Sequence, residues 1–198
     1  MSRLIESIRV ENKKLQNIEL HNKRFNEARK ALFGLNDFVN IEKWVHIPET
    51  ISNSLHKCRI ISNGQSAEVE ITPYKIRDIN SLKIVECKHI DYKYKLEDRT
   101  LLNTLYKKRE NCDDIIIVKN GFISDSWTAN ILLFRNNKWY TPALPLLKGV
   151  QREYLLTKGV IFEKQIHIEE LNLYSKIKLI NAMVDFERAP EISTESVF

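Results

Sequence analysis

Short runs of alternating apolar and polar residues cover most of the chain, separated by a few stretches with helical spacing. LIESIRV reads as a strand in which Leu4, Glu6 and Arg9 interleave imperfectly with Ile5, Ile8 and Val10. A turn at Glu11-Asn12-Lys13-Lys14 returns the chain into LQNIEL, predicting a hairpin. From about Glu19 to Phe33, Leu20, Phe25, Ala28, Leu32 and Phe33 form an approximate helical stripe, and Gly34 stands at the C-cap position. A shorter helix covers Ile41–Val45 before Pro48 interrupts. HKCRIIS and AEVEITPY are strands joined at Asn63-Gly64, both of which tolerate positive φ. SLKIVECKHI is one further strand or a pair.

The second half opens with a helix over about Glu97–Glu110, carrying Leu101, Leu102, Leu105 and Tyr106. DDIIIVKNGFISD and ANILLFRNNKWYTP are each strand, turn and strand, pivoting on Asn120-Gly121 and Asn136-Asn137. Gly149 precedes a helix from about Val150 to Thr157; IFEKQIHI alternates as a strand, IEELNLYSK is a short helix, and IKLINAMV is a last strand. The polar tail after Pro190 is expected to fray. There is no internal repeat. The fold class that follows is α+β, in two small α+β domains: residues 1–90 and residues 91–198, with a candidate active site between them.

Composition narrows the function. The 198 residues are 43% hydrophobic, enough to bury a core, and five Gly and five Pro leave little room for low-complexity stretches. No run approaches the roughly 18 apolar residues of a membrane span, and MSRLIESIRVENKK lacks the apolar centre of a secretory signal, so a cytoplasmic protein is expected. Cys58, Cys87 and Cys112 form no CxxC pair, which argues against a zinc site or disulfide framework; Cys58 and Cys87 read as small hydrophobes in strands. The net charge of +5 suits an anionic ligand, but Lys and Arg are scattered, which speaks against nucleic acid.

An ordered series of blocks carries a resemblance: DDIIIVKNGFISDSWTANILLF, WYTPALPLLKGVQREYLL and IHIEELNLYSKIKLINAM, with weaker matches in LIESIRV and the His-x-x-Arg helix ELHNKRF. Together they resemble the class IV (fold-type IV) aminotransferase family, whose pyridoxal 5'-phosphate (PLP) enzymes include branched-chain and D-amino-acid aminotransferases and 4-amino-4-deoxychorismate lyase. The similarity is strongest to short, lyase-like members. It implies a D-amino-acid aminotransferase-like fold, with an N-terminal domain shortened relative to the family and a C-terminal PLP-binding domain.

The family pattern of a lysine, two residues, Asn or Asp, then Arg falls on Lys95-Leu96-Glu97-Asp98-Arg99. The resemblance therefore makes Lys95 the catalytic, cofactor-bonding lysine; Lys93 is the competitor. An attacking amine must be uncharged, which burial promotes. Asp125 stands where the family usually has Glu, whose role is to keep the pyridine nitrogen protonated. The amides of Val150 and Gln151, after Gly149, would face the phosphate at a helix N-terminus, although the family commonly has a hydroxyl residue at position 151. Arg24 is similar to the arginine that pairs with the phosphate. Asn181 and Ala182 correspond to further phosphate-side contacts, Thr128 and Asn130 flank the ring, and Met183 borders the substrate carboxylate. Arg59 could hold a substrate carboxylate or lie on the surface.

The implied reaction is pyruvate elimination from 4-amino-4-deoxychorismate to give 4-aminobenzoate. The alternatives are amino transfer on branched-chain or D-amino acids, and a non-catalytic family member. The implied partners are a small amino substrate and a second copy in a homodimer, with no nucleic acid, membrane or metal.

Overall fold

The computed structural model describes residues 3–198; Met1 and Ser2 lie outside it. In chain order the strands are β1 (Leu4–Glu11), β2 (Lys14–Leu15), β3 (His56–Ser62), β4 (Ala67–Pro73), β5 (Leu82–Glu86), β6 (Asp114–Lys119), β7 (Phe122–Ile123), β8 (Asn130–Arg135), β9 (Lys138–Pro142), β10 (Ile161–Lys164), β11 (Lys176–Ile180) and β12 (Ile192–Ser193). The α-helices are α1 (Ile18–Phe33), α2 (Thr100–Lys107) and α3 (Val150–Thr157), and short 3₁₀ segments cover Ile41–Trp44, Ile168–Leu173 and Thr194–Ser196. This is the expected α+β class.

The chain forms two compact units. One runs to Ile76 and also takes in Tyr94–Asp98; the other comprises Arg77–Lys93 and Arg99–Phe198. The sequence suggested one boundary near residue 90, whereas the chain crosses back. The reason is local pairing, since Ile5 donates its amide to the Lys95 carbonyl at 2.9 Å and Glu97 donates to Arg3 at 2.9 Å.

In the first unit an antiparallel sheet, β2-β1-β3-β4, packs one face on α1. The inward positions are Leu4, Ile8 and Val10 of β1 and Cys58 and Ile60 of β3, against Phe25 and Ala28 of α1. Strand alternation puts Glu6 in the same inward set, and it is indeed buried, while Ile5, also buried, lies on the other face of the strand. Asn12 and Lys13 take φ of 51° and 57°, forming the tight turn expected, but the return strand stops at Leu15 and α1 begins at Ile18. The second half of LQNIEL is thus helix: the Phe25 and Ala28 stripe, buried on β1, outweighs its strand-like alternation. Between β3 and β4 the loop is four residues rather than two, because Asn63 turns its carbonyl Oδ1 onto the amides of Gln65 and Ser66 while Gly64 alone takes positive φ.

The second unit contains a three-stranded sheet, β5-β6-β7, and a five-stranded sheet, β10-β9-β8-β11-β12. β5 and β6 are parallel, with α2 in the connection between them. The continuous apolar run of β6 follows from burial on both faces. Ile116 and Val118 pack with Ile131, Leu133 and Ile177, while Ile115 and Ile117 pack with Leu102 and Leu105 of α2. α2 is shorter than the predicted Glu97–Glu110, since residues up to Asp98 are held at the edge of β1. The tail does not fray: Ile192 is buried, and Phe198 exchanges backbone hydrogen bonds with the Leu82–Ile84 segment.

Candidate functional site

In the first unit the predicted phosphate arginine has a partner that sequence reading missed. Arg24 donates from Nε and Nη2 to the two oxygens of Glu6 at 2.9 and 2.5 Å. His21, one helical turn earlier on the same face of α1, places Nδ1 2.7 Å from Glu6 Oε2. Burial alone would push the Glu6 carboxyl up, but the Arg24 charge and the His21 hydrogen bond outweigh it and hold the group down at about 2. Burial lowers His21 below its ordinary value, against the pull of Glu6, and the charges of Arg24 and Lys95 lower it further. The imidazole is therefore neutral and donates Nδ1–H to the Glu6 carboxylate. The signal in the sequence was a carboxylate at an inward position between Leu4 and Ile8, opposite a helix carrying His21 and Arg24.

Lys95 lies at this cluster. Beyond its two-residue pairing with β2, the edge of β1 is filled by the Lys95 segment, through the Ile5 hydrogen bond and an antiparallel bridge between Leu4 and Leu96. Arg3 clamps the segment from the other end, its guanidinium fork on both oxygens of Glu97 at 2.7 and 2.9 Å. Lys95 is half-buried, whereas Lys93 is exposed. Arg59 is not part of the cluster. It pairs across from Ser7, on the sheet face opposite Glu6.

The second unit gathers another set. Asp125, fully enclosed, accepts from Asn130 Nδ2 at 2.7 Å and from the Leu147 amide at 2.9 Å. Burial pushes its carboxyl up to about 6, because these neutral donors and the more remote Arg152 charge offset only part of the desolvation cost. Asn130 also donates to the Leu147 carbonyl at 2.8 Å. Two residues on, Gly149 caps α3 with φ of −72°, and a Cβ there would overlap Asn130 Oδ1. The first hydrogen bond of α3 runs from the Glu153 amide to the Gly149 carbonyl at 2.9 Å. The amides of Val150, Gln151 and Arg152 thus precede the helical ladder, at the end favoured by anions. The side chains of Val150 and Gln151 are buried.

Asn181 ties two turns of this unit together. Its Nδ2 donates to the Thr128 carbonyl at 3.2 Å, and its Oδ1 accepts from the amides of Met183 and Val184 at 2.8 and 3.0 Å. Thr128 is exposed, Ala182 is half-buried, and Met183 is packed inside. Of the other predicted groups, Cys58 lies wholly within the first unit's core, where burial pushes its thiol up to about 12 and removes its nucleophilicity at neutral pH.

Comparison with known proteins identifies the family. Residues 3–192 match the model of the amino-transferase class IV family. An uncharacterized protein of Haemophilus influenzae is 37% identical over 182 residues, covering 91% of this chain and 97% of the relative. A crystal structure from Haemophilus somnus 129pt, provisionally designated a 4-amino-4-deoxychorismate lyase, is 34% identical with a TM-score of 0.85, covering 92% of this chain and 97% of that one. The same fold is seen at 16% identity in a hypothetical aminotransferase of Mycobacterium tuberculosis in its PLP-bound form, with a TM-score of 0.77 over 98% of this chain and 81% of that one. With the family model spanning nearly the whole chain, and a relative this similar along nearly its whole length, the protein belongs to the class IV aminotransferase family.

Proposed function

We propose that the protein binds PLP through Lys95 and eliminates pyruvate from 4-amino-4-deoxychorismate, releasing 4-aminobenzoate. The observation that carries the cofactor reading is Asp125. A carboxylate shut away from water, hydrogen-bonded by neutral donors and raised to about 6, is poised to gain from an incoming cationic N–H. Asp is a methylene shorter than the family's usual Glu, yet its charge and burial meet the same need. The amides opening α3 suit a phosphate. Arg24 suits one too, provided that it shares its fork with Glu6. Residues of both units are assigned to one cofactor by the family's order of motifs. The lyase reading draws on the similarity to the Haemophilus somnus chain.

When bound, PLP supplies an electron-withdrawing ring that stabilises negative charge on the substrate carbon. The protein's part is acid–base work and positioning. Asp125 would hold the ring nitrogen's proton, keeping the ring electron-poor. The Lys95 amine would take the substrate proton as general base. Its segment is pinned by the Ile5 amide and by Arg3–Glu97, so the amine works from a fixed backbone.

The test is an absorbance spectrum of the protein with PLP, followed by addition of 4-amino-4-deoxychorismate. Expected is a yellow protein whose visible band is lost in Lys95→Ala and kept in Lys93→Ala, and which forms 4-aminobenzoate with no keto acid added. A protein that stays colourless with PLP ends the cofactor reading. Turnover only with a keto acid replaces the lyase by an aminotransferase.

A further inference from the structure

Asn130 is buried, and its amide is shared among three groups of the second unit. Nδ2 donates both to Asp125 Oδ1 and to the Leu147 carbonyl, and Oδ1 sits where a side chain on residue 149 would have to go. The Leu147 amide closes the ring by donating to Asp125 Oδ2. With φ of −72°, position 149 has a backbone that any residue adopts, so glycine is required there by the contact with Asn130 and not by backbone strain. We propose that Asn130 is a positioning residue that locks the Asp125 carboxylate to the Gly149 turn, so that the ring-nitrogen and phosphate ends of the cofactor site hold one fixed spacing. The proposal deepens the PLP reading and rests on it for the cofactor's part.

The lock also bears on charge. The groups facing Asp125 are the Asn130 amide, the backbone amides of Leu146 and Leu147, and Arg152 from α3, all of which favour the ionised form. Removing the Asn130 donor takes away one of these supports.

Two measurements need no cofactor. In the first, the carboxyl carbon of Asp125 is titrated by NMR in the cofactor-free protein, in the parent and in Asn130→Ala. The parent midpoint is expected near 6, with a rise of about one unit in the variant. Asn130→Ser, which keeps one donor, should fall between. An unmoved midpoint overturns the proposal, since a merely structural residue would change stability and leave the titration alone. In the second, Gly149→Ala is compared in the parent and in the Asn130→Ala background by thermal melting. The glycine change should lower Tm in the parent and do nothing further once Asn130 is Ala. Equal losses in both backgrounds overturn the proposal.

PLP titration then reads the cofactor's part, with affinity weakened about tenfold or more in Asn130→Ala. An unchanged affinity overturns the shared-spacing claim. A parent that binds no PLP, together with a moved Asp125 midpoint, would leave the lock standing and remove the cofactor reading beneath it.

Discussion

Glu6 of the first unit and Asp125 of the second are both buried carboxylates, and the two are driven in opposite directions. Glu6 is held at about 2 by a guanidinium fork and an imidazole N–H; Asp125 is raised to about 6 among amides. Both lose their hydration, so the difference lies in what replaces the water. A full positive charge at hydrogen-bond distance more than compensates for desolvation, whereas neutral dipoles do so only in part. Glu6 is a settled charge that shapes the surroundings of Arg24 and Lys95. Asp125 is an unsettled one, with free energy to gain from a cationic ligand.

The largest effect expected from this contrast comes from taking Arg24 away. Arg24→Met takes the guanidinium fork away from the buried Glu6 carboxylate, and should cost about 3–5 kcal/mol in urea unfolding at neutral pH. Restoring neutrality with Glu6→Gln in the same chain should recover part of that loss. A cost below about 1 kcal/mol would mean that water reaches Glu6 and that the pair is a surface one.

The pH dependence of stability should show the two carboxylates with opposite sign. Glu6 is lowered from its ordinary 4.5, so its contribution is present above pH 4.5 and is lost as pH falls through about 2; the full span is about 3 kcal/mol. Asp125 is raised from its ordinary 3.8, so folding is favoured most below 3.8 and loses about 3 kcal/mol as pH rises through about 6. Unfolding free energies from pH 2 to 8 should therefore flatten below pH 4.5 in Glu6→Gln and between pH 4 and 6 in Asp125→Asn. Parallel curves for parent and variants would contradict both assignments.

A smaller effect is expected for Asp125→Asn at neutral pH. Removing the buried charge is favourable, but the Leu147 amide then faces an NH₂ or loses its acceptor, and the two effects are of similar size. Stability within about 1 kcal/mol of the parent, alongside lost PLP binding, would mark a residue kept for its ligand. Smallest of all, Lys95→Met in the cofactor-free protein should move the His21 imidazole titration upward, because the lysine charge helps to keep that ring neutral. An unmoved His21 resonance would place the ammonium away from the cluster.

Much of the fold was legible in the sequence for reasons of local physics. The Asn-Gly and Asn-Asn turns, the Gly34 cap, the Val150–Thr157 helix and the doubly buried β6 follow from backbone freedom and side-chain period. Those forces act within a few residues, so one chain segment specifies them. The spacing of Lys95 to Arg99 belongs to the same level, whereas the need for glycine before α3 comes from its contact with Asn130. What only the tertiary structure decided was which of two flanking elements wins a segment, and what a charged residue meets. The second half of LQNIEL went to α1 because its apolar stripe had β1 to pack on, and the Tyr94–Asp98 segment left α2 for the open edge of β1. The ordered tail is held by backbone bonds to Leu82–Ile84, over a hundred positions away in the chain. Glu6 and Asp125 are one methylene apart as residues. Their opposite chemistry was set by groups distant in sequence, Arg24 and His21 in one case and Asn130 and Leu147 in the other, because desolvation and charge pairing depend on distance in space.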